Sequence, residues 1–383
     1  MSKIMDIIAE ETNGKSYSTF KYGFEGVGVP TFSYDDDREN FSWQQSGETT
    51  PPDKYKDLSS EAKKISTLKP LFTYFLDGSR LTYKVDDISY NNRVYPVIAG
   101  QIGISCCKRG NKIMQKYDFE RSLVITLPKI ASKDDWGKDQ FFAALKNKIN
   151  ERDTRLEKCN IKITKIIPYT PPAPSELAKT ESKGIAKIQD EMIDREIAMV
   201  TKMVSEHKIN QDNYLLKDGS LEYRVDGKTS REKRQFQSFF KNVVGVSKSF
   251  NPANCKDKRG KNNSNMIAEL PLFHRTPVAM YTSERLEGMT YAVWYIRIRD
   301  AKYTTNTFDG ILKIEKILVT DEQIANGLDT EEVDLISANI INERNPVCYG
   351  ADFRWANHLY PVYVTESFAK SKYLSDSLFL SLF

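Results

Sequence analysis

Two short apolar runs end in the same tripeptide: LFTYFLDGS, Leu71 to Ser79, and YLLKDGSL, Tyr214 to Leu221. An apolar run of this length stopped by a turn signal reads as a core strand. Each run therefore carries an aspartate, Asp77 or Asp218, to the exit of a buried strand. A carboxylate in such a place is costly unless it is paired or binds a cation. The likeness extends from Asp77-Gly-Ser-Arg-Leu-Thr-Tyr83-Lys84-Val85-Asp86 to Asp218-Gly-Ser-Leu-Glu-Tyr223-Arg224-Val225-Asp226, offset by one residue. It reads either as duplicated ancestry or as one hairpin solution used twice, because strand–Asp-Gly–strand is common and glycine supplies positive φ cheaply.

The rest of the chain fits strands around these two. Val94 to Cys107 and Ser122 to Leu127 are β-rich. Trp136 to Arg155 reads as an amphipathic helix, with Phe141, Phe142, Leu145 and Ile149 at helical spacing. Residues 167–184 hold four prolines within a short span, so they predict an exposed crossing loop rather than a helix or central strand. Ile185 to Ser205 is a strong helix with an apolar stripe of Ile185, Ile188, Met192, Met199 and Met203. Val243 to Ser247 and Tyr291 to Ile298 look like buried strands, and Gly310 to Val319 like an alternating one. Helices are expected over Glu331 to Arg344 and from Val362 to about Leu378. Residues 1–69 are polar, with Gly, Pro and Asp clusters, and predict an irregular N-terminal arm with a helix near its start. The expected organisation is that arm followed by one α/β domain over 70–383, although 383 residues could make two or three units of ordinary size.

Charge and rare residues exclude several functions. Lys+Arg number 56 against 52 Asp+Glu, and a net +4 does not by itself argue for nucleic acid. The local runs Lys228 to Arg234 and Lys256 to Lys261 are more informative, since basic loops can neutralise phosphates; solvated surface loops are the plain alternative. Three histidines and no CxxC pair are a poor supply for a zinc site, so any metal would be a hard cation held by carboxylates. Five cysteines, two of them adjacent, do not form a disulfide framework and suggest a reducing cytoplasm. No apolar stretch is long enough to span a membrane. The opening MSKIMDIIAEETNGK carries acids where a signal peptide needs an apolar run. Phosphate loops, dinucleotide fingerprints and nucleophile elbows have no match, and nothing orders a Cys348–His358 pair.

The helix before the second strand contributes a third acid. Glu196 lies four residues after Met192 and three before Met199, which places it within the apolar stripe. It is either a metal ligand with Asp77 and Asp218 or a stripe-edge residue paired with a lysine such as Lys202. Three carboxylates around Mn²⁺ or Mg²⁺ are suited to phosphodiester hydrolysis. Lys248 follows the VVGVS strand. Trp294, Tyr295 and Trp355 are read as core before base-stacking. The tail SLFLSLF, Ser377 to Phe383, is either the packed end of the last helix or a partner-binding patch.

These segments resemble the NurA nuclease family. The resemblance rests on LDGSR (Leu76 to Arg80), the helix with Glu196, KDGSL (Lys217 to Leu221), VVGVSK (Val243 to Lys248), WYIRI (Trp294 to Ile298) and LYPVYV (Leu359 to Val364), which occur in the family's order. It implies an RNase H-like mixed sheet flanked by helices and a Mn²⁺-dependent (or Mg²⁺-dependent) DNA nuclease. It also implies a toroidal or C-shaped homodimer that works with the HerA hexameric DNA-translocating ATPase in DNA end processing or antiphage defence. Carried over by motif, Asp77, Glu196 and Asp218 would hold the metal, with Lys248 and Tyr360 completing the catalytic set. Lys248, Arg80, Arg231, Lys233, Arg234, Lys258 and Arg259 would contact DNA. At one position the chain departs from the family: Phe368 stands where the family commonly has a histidine, and Glu366 and His358 are the nearby groups able to substitute. Two other classes fit the same residues, a catalytically weak DNA-binding adaptor of an ATPase and a small-molecule phosphatase.

Overall fold

A computed structural model describes residues 3–24, 41–111, 113–132, 138–158, 160–172, 180–223, 229–255, 261–283, 289–304, 306–345 and 353–383. Ten strands set its frame: β1 (Phe41–Ser46), β2 (Phe72–Tyr90), β3 (Arg93–Arg109), β4 (Met114–Pro128), β5 (Ile163–Tyr169), β6 (Tyr214–Asp218), β7 (Val243–Ser247), β8 (Ala279–Ser283), β9 (Thr290–Arg297) and β10 (Ile311–Ile317). They form one mixed sheet in the order β1-β8-β9-β10-β7-β6-β2-β3-β4-β5. The pairs β2–β6, β6–β7 and β4–β5 are parallel, and the other neighbours on this path are antiparallel. Parallel neighbours need a crossover between them, and the one from β2 to β6 includes the longest helix, α3.

Of the eleven α-helices among the described residues, seven matter here: α1 (Ile4–Thr12), α2 (Lys138–Arg152), α3 (Thr180–Ser205), α4 (Ser230–Phe239), α5 (Thr330–Asn342), α6 (Tyr360–Lys370) and α7 (Asp376–Ser381). On α3 the expected stripe is buried, and Ile185, Ile188, Met192, Met199 and Met203 join Tyr74, Leu76 and Leu215 in one apolar cluster. The opposite side of the central strands packs Phe75, Leu216, Val244 and Val246 against α5 and Val362 of α6. The site is therefore built into the middle of a sheet covered on both faces. Among the described residues, no helix is long and apolar enough to cross a membrane.

Several expectations are revised. The first Asp-Gly-Ser does not turn: β2 continues for 19 residues and pairs with β3 from Tyr74 to Tyr90. Gly78 has no positive φ, whereas Gly219 of the second tripeptide has φ +84°. The two segments share letters and not backbone. Residues 167–169 are the end of β5 and not loop; Pro168 is tolerated because β5 is the last strand of the sheet path. The following helix begins at Thr180. The last helix is two, α6 and α7, with Lys372 and Tyr373 in the turn between them.

Among the described residues before 70, several segments join the sheet and the core. Lys15–Ser16 and Tyr22–Gly23 pair with β2, and β1 pairs with β8. Glu48 is buried and accepts two hydrogen bonds from the equally buried Arg275, at 3.0 and 2.8 Å. Ile4, Ile7 and Ile8 of α1 share a core cluster with Phe379, Leu382 and Phe383, so the apolar C-terminal tail is packed. Trp294 is fully buried and donates to Ser337 Oγ at 2.8 Å, and Tyr295 is core as well.

Candidate active site

The central strands β7, β6 and β2 lie side by side, with Leu76 in register with Lys217 and Val246 with Asp218. Side chains alternate along a strand. Phe75 and Leu216 point to one face and Leu76 and Leu215 to the other. Continuing the alternation sends Asp77 and Asp218 to the face shared with α6. Lys217 and Gly78 turn instead to the face covered by α3.

On the first face, α6 contributes a third acid. Asp77, Asp218 and Glu366 each place a carboxylate oxygen within 4.8 Å of the others. Lys248, just past the end of β7, donates to Asp218 Oδ2 at 2.9 Å and to Glu366 Oε2 at 3.2 Å. Its own carbonyl accepts from Asn357 Nδ2 at 2.5 Å, which ties the lysine to the segment before α6. Lys370, one turn beyond Glu366, holds the second oxygen at 2.6 Å. Asp77 is 4% exposed, and its Oδ2 has no hydrogen-bond partner among the described residues. Asp77, Asp218, Glu366 and Lys248 line a cleft of about 250 Å³, and Glu196, Lys217, Ser220, Tyr223 and Ser247 line it with them.

The electrostatics follow from burial and charge. Burial, then the neighbouring Asp218 carboxylate, raises the Asp77 pKa well above the usual range. Burial opposes charge on Lys248, but Asp218, Glu366 and Asp77 outweigh it and hold the ammonium protonated. Glu366 is also penalised by burial, yet Lys248 and Lys370 bring it down to about 2. One lysine thus bridges two of the three acids, and the third has an oxygen with nothing to bind.

Glu196, expected as the third ligand, lies outside this acid group. It forms an ion pair at 3.1 Å with Lys217, and both side chains are at most 5% exposed. Lys217 Nζ also donates to the carbonyls of Asp218, at 2.7 Å, and Ser220, at 3.2 Å. The pair therefore pins the Gly219 turn that carries Asp218. Glu315 pins the other side, accepting from Ser220 Oγ and Leu221 N at 2.7 Å each. The alternative pairing with Lys202 does not form; that lysine binds Asp118. Glycine is needed at 78 because a Cβ there would overlap the Glu196 carboxylate.

The remaining predicted residues are scattered. Arg80 donates to Gln189 Oε1 at 2.6 Å, near the cleft but not lining it. Tyr360 is 46% exposed at the start of α6 and does not line the cleft. Arg231, Lys233 and Arg234 are not in a loop but on α4, whose start is fixed by Thr229 and Glu232 in a capping box. Lys258 and Arg259 lie outside the described residues, as does Cys348. Phe368 packs on Phe119 with ring centroids 5.5 Å apart, and His358 is buried against Tyr363. Of the two possible substitutes for the family histidine, only Glu366 reaches the acids. Its helical spacing held a signal for this: it is four residues after the buried Val362 and three before the buried Ala369.

No protein-family model matches the chain, and no curated protein matches it. Among solved structures, the chain is similar to the crystal structure of the NurA nuclease from Sulfolobus solfataricus. The identity is 11%, the coverage 82% of this chain and 85% of that one, and the TM-score 0.39. A superposition this loose carries no weight for function, which rests on the chemistry of the cleft.

Proposed function

We propose that this chain is a metal-dependent deoxyribonuclease in which Asp77, Asp218 and Glu366 hold Mn²⁺ or Mg²⁺ and phosphodiester bonds are hydrolysed. The observation that carries the reading is the meeting of three carboxylates from β2, β6 and α6, one with a buried oxygen lacking any partner. Such a group is costly in a protein interior, and an all-oxygen set of this kind suits a hard divalent cation. When bound, the ion supplies Lewis-acid charge at the phosphate and eases deprotonation of a water. Lys248 brings a fixed positive charge to the same cleft and binds a phosphate oxygen as the strand enters. Glu366, held ionised by two lysines, keeps its negative charge for the cation across the neutral range. Glu196 and Lys217 set the position of Asp218 rather than touching substrate.

DNA as the polymer, an RNase H-like class for the sheet, a homodimer and a HerA-type ATPase partner belong to the same proposal. So does a role in DNA end processing or antiphage defence. They are supported by the order of the sequence segments, from the first Asp-Gly-Ser to the Tyr-Pro at 360–361.

Cleavage of linear DNA with Mn²⁺, alone and with the partner ATPase and ATP, tests the reading. Asp77→Asn and Asp218→Asn are expected to lower the rate on the order of a hundredfold or more. Full activity in both variants would remove the mechanism. Wild-type protein that binds DNA and the ATPase but makes no metal-dependent product would establish the adaptor instead.

A further inference from the structure

A second cleft, of about 530 Å³, opens near the start of β2 and is lined by Arg109, Arg299, Arg344, Glu343, Asn339 and Asn342. Among the described lining residues, three guanidinium groups share the cleft with one carboxylate. Arg109 Nη2 pairs with that acid, Glu343, at 2.5 Å. Arg344 has no carboxylate within 4 Å among the described residues. One of its five donors goes to the Ile341 carbonyl at 2.7 Å, and its guanidinium lies over the Phe273 ring at 4.8 Å. Arg299 is placed in the same way over Trp355, at 5.2 Å. Burial lowers the Arg344 pKa with no acid opposing it. A half-buried cation in that state is relieved by an anion, and a planar fork held on an aromatic ring is suited to a phosphate.

We propose that the Arg109–Arg299–Arg344 cleft binds a phosphate group, contributed either by a nucleic-acid strand on its way to the acid cleft or by a free nucleotide. The first source rests on the nuclease reading; the second does not. The position supports a strand. Arg109 lies over Phe75, two residues before Asp77 on the face that carries the acids. Its Nε donates to the carbonyl of Phe72, which is about 17 Å of strand from Asp77. From the other side, Tyr360 N binds the Glu343 carbonyl at 2.8 Å, and α6 rises ~9 Å from there to Glu366. A bound strand covers such a distance in about five B-form steps or fewer.

The test is metal-free. Binding of a short fluorescein-labelled single-stranded oligonucleotide, and separately of dTMP, is measured in EDTA over a salt series. Arg344→Gln should weaken binding about tenfold and reduce the salt slope by ~0.7, as loss of one phosphate contact requires. Arg299→Gln should act in the same direction, and Arg344→Lys should keep the salt slope. An effect on dTMP alone identifies a free nucleotide as the source. If oligonucleotide and dTMP binding are the same in wild type and both glutamine variants, the phosphate site is refuted. Phosphate binding by a wild-type protein without metal-dependent cleavage would overturn the nuclease reading and leave this one standing.

Discussion

At the scale of single residues, Asp77, Asp218 and Glu366 group together, while Glu196, which lines the same cleft, is paired with Lys217 and holds a turn. Lys217 and Glu196 are buried together, so removing one partner strands the other charge. Lys217→Met is expected to destabilise by about 3–5 kcal/mol in urea melts, and Lys217→Met with Glu196→Gln to recover most of that loss. Equal stability of the single and double variants would show that the pair is not coupled. The raised pKa of Asp77 has the opposite sign for stability. Above its ordinary value of 3.8 the unfolded carboxyl ionises while the folded one keeps its proton, so metal-free stability falls as pH rises. Glu366, with a folded pKa of about 2 against 4.5, stabilises above 4.5 and loses that contribution as pH falls towards 2. Melting in EDTA across pH should therefore show Asp77→Asn more stable than wild type at neutral pH, with Mn²⁺ closing the gap by stabilising wild type. A lower neutral-pH melting temperature for Asp77→Asn in EDTA would contradict this.

Asp77, Asp218 and Lys248 were legible in the sequence because each ends or interrupts an apolar run, where a charge stands out. Glu366 was legible only as one of two stand-ins for the family histidine and not as a third acid, since it reaches the site from a helix 118 residues beyond Lys248. Glu196 was expected beside the two aspartates and is found paired with Lys217, because burial on the α3 stripe looks the same whether the partner is a cation or Lys217.

At the scale of elements, identical tripeptides adopt different backbones because their surroundings differ. Gly78 is extended and lies beneath Glu196, and Gly219 turns with positive φ. Gly219→Ala is expected to cost about 1–2 kcal/mol through the left-handed backbone alone. Gly78→Ala should act through the displaced Glu196 carboxylate, so it should cost less in a background where Lys217→Met and Glu196→Ala have removed the whole pair. Urea melts of Gly78→Ala in the wild-type and in that background decide this, and an equal cost in both would contradict the proposed overlap. Periodicity made the strands and helices readable, but the turn reading failed at Gly78, where glycine provides close approach rather than positive φ.

At the scale of the whole molecule, the two chain ends seal one core. Phe379 packs against Tyr83 with ring centroids 4.4 Å apart, within the cluster that also holds Ile4, Ile7 and Ile8. Phe379→Ala is expected to cost about 3–5 kcal/mol in a urea melt, and a loss below about 1 kcal/mol would mean that the tail is not part of this core. The polar composition of residues 1–69 hid how much of that segment pairs with the sheet, because pairing uses backbone groups that composition does not register.

The most direct test of the whole arrangement is Mn²⁺ binding followed by electron paramagnetic resonance in Glu366→Gln and Glu196→Gln. The account predicts that Glu366→Gln weakens Mn²⁺ binding at least about tenfold and that Glu196→Gln, which acts only through the turn carrying Asp218, weakens it less. Unchanged binding in Glu366→Gln, with loss in Glu196→Gln, would contradict it.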